Sequence, residues 1–429
     1  MRVVFLSAAR QVWGAEVSLL TLSRGLADAG VTQAIVCPEG ELATSATAAG
    51  IEGVHPVTPR SEAVDQGRMR ESLRLWQRCL QVVRPGDTLV IFSYYLLALL
   101  PAVRPVLRRR GVHVALDLHD DFTSPKARAV LRAGSTAVDT VIACSRFTAA
   151  QLPHHPRISS LHRPVGLSTP PEVRADGSLD TTSSLDASAE LDPVARARVE
   201  RSARAHAATR QRARATDAAG RQPTTARSPA SPPRGPAAPA PISARVPGDR
   251  ERPLRVGVIG RITPEKRHEL IIDALSQVRC PAQLVVRGGG DGFSGDLASR
   301  VLAHGAQVLG DRFVDEGRVE QESALADLDV LVVGNPREPM GRTVLEAQDR
   351  GVVVVVPDSG GSQELVRHRE TGLVYAHDDA ADLARTIEIV AADPRLAAQM
   401  AVAARRAVPR PGPYAREYLS RLVVGARSR

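Results

Sequence analysis

Two glutamates, and the turn that leads into them, are the residues of this chain best placed to do chemistry. Residues 334–346 read G-N-P-R-E-P-M-G-R-T-V-L-E and follow a short apolar run, 329–333, with the character of a buried parallel strand. Gly334, Asn335 and Pro336 turn the chain, and a helix opens at Gly341, with Met340, Arg342 and Thr343 around its start. Strand, turn and helix N-terminus is a geometry in which free backbone N–H groups and the helix dipole face an anion. Glu338 stands just before the helix and Glu346 a little over one turn inside it. At helical rise their carboxylates lie within roughly 12 Å of each other. That span suits two hydroxyl-bearing groups on either side of a bound diphosphate. Glutamates so spaced also arise by chance as solvated charges at a helix end, so the rest of the chain has to decide.

The cations come from an earlier turn. G-R-I-T-P-E-K-R at 260–267 follows an apolar strand, and Arg261 and Lys266 emerge at its carboxyl end. Two cations there can hold a diphosphate and stabilise the charge that develops as it leaves. A surface turn with ordinary charges would read similarly, but lysine usage argues against it. Lys126 and Lys266 are the only lysines in a chain that otherwise uses arginine, which points to a need for a compact ammonium at this turn. Gly260 opens the turn. Gly288 and Gly290, in R-G-G-G-D, end the next strand, where glycine permits close backbone approach; a bare turn fits equally well. Gly360 and Gly361, in D-S-G-G-S-Q-E, open a helix whose amides could meet a sugar or phosphate oxygen. In the first half of the chain, His119 ends a strand in L-H-D-D, and Gly14 ends the loop after the first strand. A P-loop pattern is absent from the sequence.

Alternating strands and helices must position these groups. Strands are expected over 2–6, 32–36, 88–92, 112–118 and 140–143, then over 254–260, 283–287, 306–309, 329–333 and 352–357. Helices are expected from Val17 to Gly30, over 96–109, 380–391 and 394–406. This pattern predicts an α/β fold of two doubly wound, Rossmann-like parallel sheets facing a cleft, with ligands at the carboxyl ends of the strands. The boundaries read as an N-terminal Rossmann-like domain (1–167), an Ala/Arg/Pro/Ser-rich linker (168–252), a second Rossmann-like domain (253–406) and a tail (407–429). Large apolar residues nearly vanish in the linker, so it is expected to be disordered apart from a transient helix over 187–215. Its basic run, 196–214, lacks interleaved aromatics, and nucleic acid is not expected as a partner. In the tail, Tyr414, Tyr418 and Leu422 at helical spacing predict a helix that returns to the first domain.

At 429 residues the chain has room for two or three domains. A net charge of +9 suits acidic partners such as nucleotides or anionic lipid. The four cysteines form no C-x-x-C, so no metal or disulfide framework is expected, and a reducing compartment fits. The N-terminus is too short in apolar residues for a signal peptide, and no stretch is long enough for a membrane span, which predicts a cytoplasmic protein. From Arg68 to Arg84 the pattern is amphipathic, with Arg70, Arg74 and Arg78 on one face and Leu73, Trp76, Leu80 and Val83 on another. It reads as a helix covering the sheet, or as a peripheral contact with the inner face of an anionic membrane.

These motifs, taken together, resemble the donor half of a GT-B retaining glycosyltransferase of family 4, the group 1 enzymes. The match runs through G-R-I-T-P-E-K-R, the G-G-G strand end, the two glutamates closing in L-E-A, and G-G-S-Q-E-L-V-R-H-R-E-T-G-L-V, covering 254–405 in order. The first domain resembles the acceptor half through W-G-A-E-V-S-L-L, the strand ending L-H-D, and V-I-A-C-S-R-F-T-A-A-Q-L. The resemblance implies that Arg261 and Lys266 neutralise the nucleotide diphosphate and that Glu338 is set against the donor sugar. It also implies that Glu346 holds the ribose, Gly14 lies near the diphosphate and His119 faces the transferred hexose. It further implies a metal-independent, cofactor-free transferase whose partners are a nucleotide-sugar donor and a saccharide, lipid-linked or small-molecule acceptor. Trp13, Met340, Val353 and Gln363 depart from residues frequent in the family, and so does the long linker. A sugar-nucleotide epimerase, or a non-catalytic binder, would share the same cleft.

Overall fold

The computed structural model describes residues 1–58, 68–164, 252–290 and 295–427. The expected linker, its helix and its basic run lie outside the described residues, save for Arg252. Seven strands form the first sheet: β1 (Arg2–Leu6), β2 (Thr32–Pro38), β3 (Gly53–Val57), β4 (Thr88–Ile91), β5 (His113–Leu118), β6 (Thr140–Ala143) and β7 (Ile158–Ser160). All pair in parallel in the order β3-β2-β1-β4-β5-β6-β7. Alternate residues feed opposite faces, as a pleat requires. Val4, Leu6, Leu89 and Ile91 enter one core, while Val3, Phe5 and Val90 enter the other. Helices α1 (Gly14–Asp28) and α2 (Glu41–Ala48) cover the second face. On the first lie α3 (Arg68–Val82), α4 (Leu100–Arg109) and α5 (Pro125–Ser135); α6 (Arg146–Ala149) follows β6.

The second sheet has six parallel strands: β8 (Leu254–Ile259), β9 (Ala282–Arg287), β10 (Phe313–Gly317), β11 (Val330–Val332), β12 (Val353–Pro357) and β13 (Leu373–Tyr375). Their order is β10-β9-β8-β11-β12-β13. Helices α7 (His268–Gln277), α8 (Leu297–Leu309), α9 (Arg342–Asp349), α10 (Gly360–Gln363), α11 (Ala380–Ala392) and α12 (Pro394–Ala407) alternate with them. Both sheets reverse strand order once, between β1 and β4 and between β8 and β11. A crevice opens at each reversal, because the connections leave toward opposite faces there.

The last helix, α13 (Pro411–Arg427), crosses back to the first domain. Tyr414, Ala415, Tyr418 and Leu422 are buried in one core with Leu19, Leu22 and Leu26. The close fit needs Gly25, where an added Cβ would lie 2.7 Å from that of Ala415.

Two expectations are corrected. The strand expected over 306–309 is the end of α8, and the strand that follows is β10. Val301 and Leu309 share a face at helical spacing, so the short run A-Q-V-L belongs to that period rather than to an extended strand. In α3 the sheet-facing residues are Leu75, Trp76 and Cys79, whereas Leu73 is 50 % exposed. Of the expected apolar face, Trp76 and Val83 are buried and Leu80 packs against the same core, so Leu73 alone falls outside it. Among the described residues no helix is long and apolar enough to cross a membrane.

Candidate active site

The two crevices open into a single cavity of about 480 Å³ between the sheets. From the second domain, the turn after β8 brings Arg261, and the turn after β11 brings Glu338, Met340, Gly341 and Arg342. From the first, the loop after β1 brings Trp13 and Gly14, the turn after β4 brings Tyr94 and Tyr95, and the end of β5 brings His119 and Asp120.

Lys266 joins this set through Glu338, its Nζ lying 2.9 Å from Oε2. The Asn335 side-chain amide donates to the same oxygen at 3.2 Å. The ammonium and the carboxylate are thus already paired, with Glu338 on the cavity lining and Lys266 behind it. Glu346 is reached through Arg342, whose guanidinium lies 2.8 Å from Oε1. Arg342 also approaches the Gly14 carbonyl at 3.5 Å, spanning from one domain to the other. A Cβ at Gly14 would meet only Arg342 atoms, at 3.7 Å and beyond, so packing alone does not demand glycine there.

The remaining glycines act one layer back. An added Cβ at Gly288 would fall 1.7 Å from the carbonyl oxygen of Gly260, so the two turns are pressed backbone to backbone beneath Arg261. Gly288→Ala is expected to destabilise the chain by about 1–3 kcal/mol through this overlap, read as a lower urea midpoint at unchanged slope. Gly290 holds Arg318 through its carbonyl at 3.0 Å, away from the cavity lining. The amide of Gly361 is given to the Glu338 carbonyl at 2.7 Å, and a Cβ on Gly361 would lie 2.1 Å from the Pro339 carbonyl. Gly360 and Gly361 brace the Glu338 loop from behind. Thr343 sits in the first turn of α9, off the cavity lining.

His119 is held by residues that sequence reasoning missed. Its Nδ1 lies 3.2 Å from Asp117 Oδ1, and its ring stacks on Phe92 at 4.6 Å. Asp117 also takes the guanidinium of Arg163 and, at 3.0 Å, the hydroxyl of Tyr418 on α13. An aspartate inside the apolar run H-V-A-L-D-L was the available signal, since a buried carboxylate needs partners. Cys144 also borders the cavity, but burial pushes its thiol up to about 11, so it is not a thiolate at neutral pH.

The first domain grips the Glu338 loop directly. Arg337 makes two bonds to Asp121 at 2.7 and 2.8 Å, and Ser145 Oγ donates to the Pro339 carbonyl at 2.5 Å. Behind them Glu364 accepts from the backbone N–H groups of Arg146 and Phe147, which open α6, at 2.9 and 2.7 Å, and from His162 at 3.1 Å. Burial alone would raise the pKa of Glu364, but these partners pull it down to about 2. A depressed carboxylate contributes stability that is complete above its ordinary value of 4.5 and is lost as pH falls toward about 2. The stability gap between wild type and Glu364→Gln, followed by urea unfolding, is expected to shrink over that window and to be flat above it.

Two family models match this chain. That described as glycosyl transferases group 1 covers residues 242–407, and that described as glycosyltransferase family 4 covers 12–167. Each domain of the chain thus matches a glycosyltransferase family model, and the fold is GT-B. Among similar proteins, the GDP-mannose-dependent alpha-mannosyltransferase of Mycolicibacterium smegmatis is 32 % identical over 139 residues, 30 % of this chain and 31 % of that protein. The D-inositol 3-phosphate glycosyltransferase of Jonesia denitrificans is 31 % identical over 160 residues, 34 % of this chain and 37 % of that protein. The matched stretches thus span about a third of the curated relatives' lengths. In fold, this GT-B chain resembles Anabaena HepE, solved with UDP and glucose, at a TM-score of 0.66 and 16 % identity, over 99 % of this chain and 100 % of that one.

Proposed function

We propose that this GT-B chain is a retaining glycosyltransferase that moves a hexose from a nucleotide diphosphate sugar to a hydroxyl acceptor, in synthesis of a cell-surface polysaccharide, glycolipid or related glycoconjugate. The observation that carries the reading is the meeting of the two crevices. Arg261 and the Lys266–Glu338 pair from one domain face His119 and Gly14 from the other across a single cavity. Relatives whose names specify GDP-mannose support a nucleotide-linked hexose as donor.

In this reading the diphosphate lies against Arg261 and Lys266, drawing Lys266 from Glu338 and supplying countercharge as the bond to the sugar breaks. Glu346 takes the ribose hydroxyls. Both bonds made by Glu338 fall on Oε2, which leaves Oε1 as an acceptor for a sugar hydroxyl. His119, fixed by Asp117, faces the hexose from the other domain. The acceptor attacks from the face the diphosphate leaves, and domain contact excludes the water that would hydrolyse the donor. A lipid-linked acceptor would bring the chain to an anionic surface; flotation with anionic vesicles at low and high salt tests that partner.

Calorimetry with a panel of UDP-, GDP- and ADP-sugars tests the function. One nucleotide sugar is expected to bind wild type; binding of none would overturn the reading. NMR of the product's anomeric centre then tests retention.

A further inference from the structure

The donor chemistry leaves one part of the cavity unused. The whole chain holds two Trp, five Tyr and six Phe, yet Trp13, Phe92, Tyr94 and Tyr95 all border this one space. Phe92 is occupied, stacked against His119 beneath the guanidinium of Arg163. Tyr95 bonds the Ala8 carbonyl at 3.4 Å and meets Tyr94 edge-on at 5.5 Å. Trp13 is 60 % exposed, and an indole left in water carries a large unsatisfied apolar surface. Its backbone is nevertheless fixed. The Trp13 N–H donates to Glu16 at 3.1 Å, and its carbonyl accepts from Val17 at 3.0 Å. The ring is therefore presented on a rigid mount, with the Arg261 guanidinium 5.9 Å from its centroid.

Position identifies what the ring serves. Trp13 follows β1 and the two tyrosines follow β4, the neighbouring strands at which the first sheet reverses order. That crevice is where a domain of this architecture holds its own ligand. Arg261, Lys266 and Glu346, assigned to the donor's phosphates and ribose, come from the other sheet, and the first domain adds only the backbone at Gly14 to that set. The remaining neighbours then choose between ligands. Asp120, Glu338, Arg261 and Arg342 share the cavity with the rings, so an acyl chain placed there would desolvate charges without compensation.

We propose that Trp13, with Tyr94 and Tyr95, is a platform for a polyhydroxylated six-membered ring on the acceptor, a pyranoside or a cyclitol; this rests on the transferase reading above. Such a ring offers a C–H face to the indole and a rim of hydroxyls to Asp120. The exposed tryptophan then selects the acceptor class and takes no part in donor cleavage.

The chain's two tryptophans make this directly readable. Trp76 is 1 % exposed, with its indole N–H bonded to the Leu96 carbonyl at 3.0 Å, so iodide quenches Trp13 alone. The full chain is titrated with methyl α-glucopyranoside, methyl α-mannopyranoside and myo-inositol, each with and without UDP or GDP. Glycerol and n-hexanol serve as controls, and Trp13→Phe supplies the background. At least one ring compound is expected to shield Trp13 from iodide. By saturation-transfer NMR, Trp13→Ala should weaken binding of that compound on the order of tenfold, the loss of one aromatic anchor, with Trp13→Phe retaining most of the affinity. Shielding by hexanol without any ring compound, by the nucleoside diphosphates alone, or by nothing would each overturn the proposal. Failure of the transferase reading is seen separately, as loss of nucleotide-sugar binding in the calorimetry.

Discussion

Lys266→Ala is expected to lower kcat by about 10²–10³-fold, a barrier increase of about 2.7–4 kcal/mol, the range for removing one preorganised group that meets developing negative charge. Two losses combine. On the proposed reading, the ammonium that would face the departing diphosphate is gone, and Glu338, its partner at 2.9 Å, is left as an uncompensated carboxylate beside that anion. Because the charge on the phosphate grows as the sugar bond breaks, kcat and kcat/KM should fall together rather than KM alone rising. Lys266→Arg should not restore turnover, since a planar guanidinium cannot occupy the place of a compact ammonium between Glu338 and the phosphates. Stability is a clean control. The pair is partly exposed, at 29 % and 19 % for the two side chains, and such pairs contribute little to folding. A melting temperature near wild type with turnover lost is the expected combination. Wild-type turnover in Lys266→Ala would remove Lys266 from the mechanism.

The same loop shows why domain contact and chemistry are linked. Glu338 lies between Arg337, which is bonded to Asp121, and Pro339, whose carbonyl takes the Ser145 hydroxyl. A shift of the first domain therefore moves the backbone on both sides of Glu338. Glu364 adds its carboxylate to the amides opening α6, a charge-assisted contact at the positive end of a short helix. These bonds place the acid that pairs Lys266 under the control of the opposite domain.

What the sequence disclosed follows from how local each signal is. Strands such as β1, β6 and β12 are short runs dominated by Val and other large apolar residues, buried on both faces, and their composition alone marks them. The charged residues at the ends of β8 and β11 were legible because strand, turn and helix start follow one another within a dozen residues. Edge elements were not legible. β3 carries a proline and is only partly buried, and β7 has three residues, so neither offers a pattern to read. The exposure of Leu73 on α3 escaped because Leu73 and Leu75 look alike to a periodicity argument, and only the sheet decides which is covered. The contact of Gly360 and Gly361 with the Glu338 loop was not legible for the same reason: a glycine pair before a helix looks identical whether or not a neighbouring loop comes close. Contacts joining Glu364 to Arg146, or Tyr418 to Asp117, cross some 200 to 300 residues, and a single sequence carries no trace of such pairs.

Asp117→Ala is expected to cost about 3–5 kcal/mol of folding stability, because it leaves a buried charge without its partner. Arg163 is 4 % exposed and its counterion is Asp117, itself 4 % exposed. Burial on its own would push the Asp117 carboxyl up; Arg163, His119 and Tyr418 reverse this and hold it below the usual carboxylate range. The sign follows: the network stabilises the fold above the ordinary aspartate pKa and weakens as pH falls through the depressed value. Tyr418→Phe removes one bond to that carboxylate and should cost about 1.5–3 kcal/mol, as hydrogen bonds to charged groups do. In the double variant the two costs should fall short of their sum, since once the carboxylate is gone the loss of the Tyr418 hydroxyl breaks no further bond to it. Activity separates this network from ordinary packing. His119 Nδ1 rests on Asp117, so Tyr418→Phe, assayed well below its melting temperature, should reduce kcat while nucleotide-sugar affinity stays near wild type. Asp117→Ala with wild-type stability, or strictly additive costs with unchanged kcat, would show that α13 closes the core of the first domain without positioning the histidine.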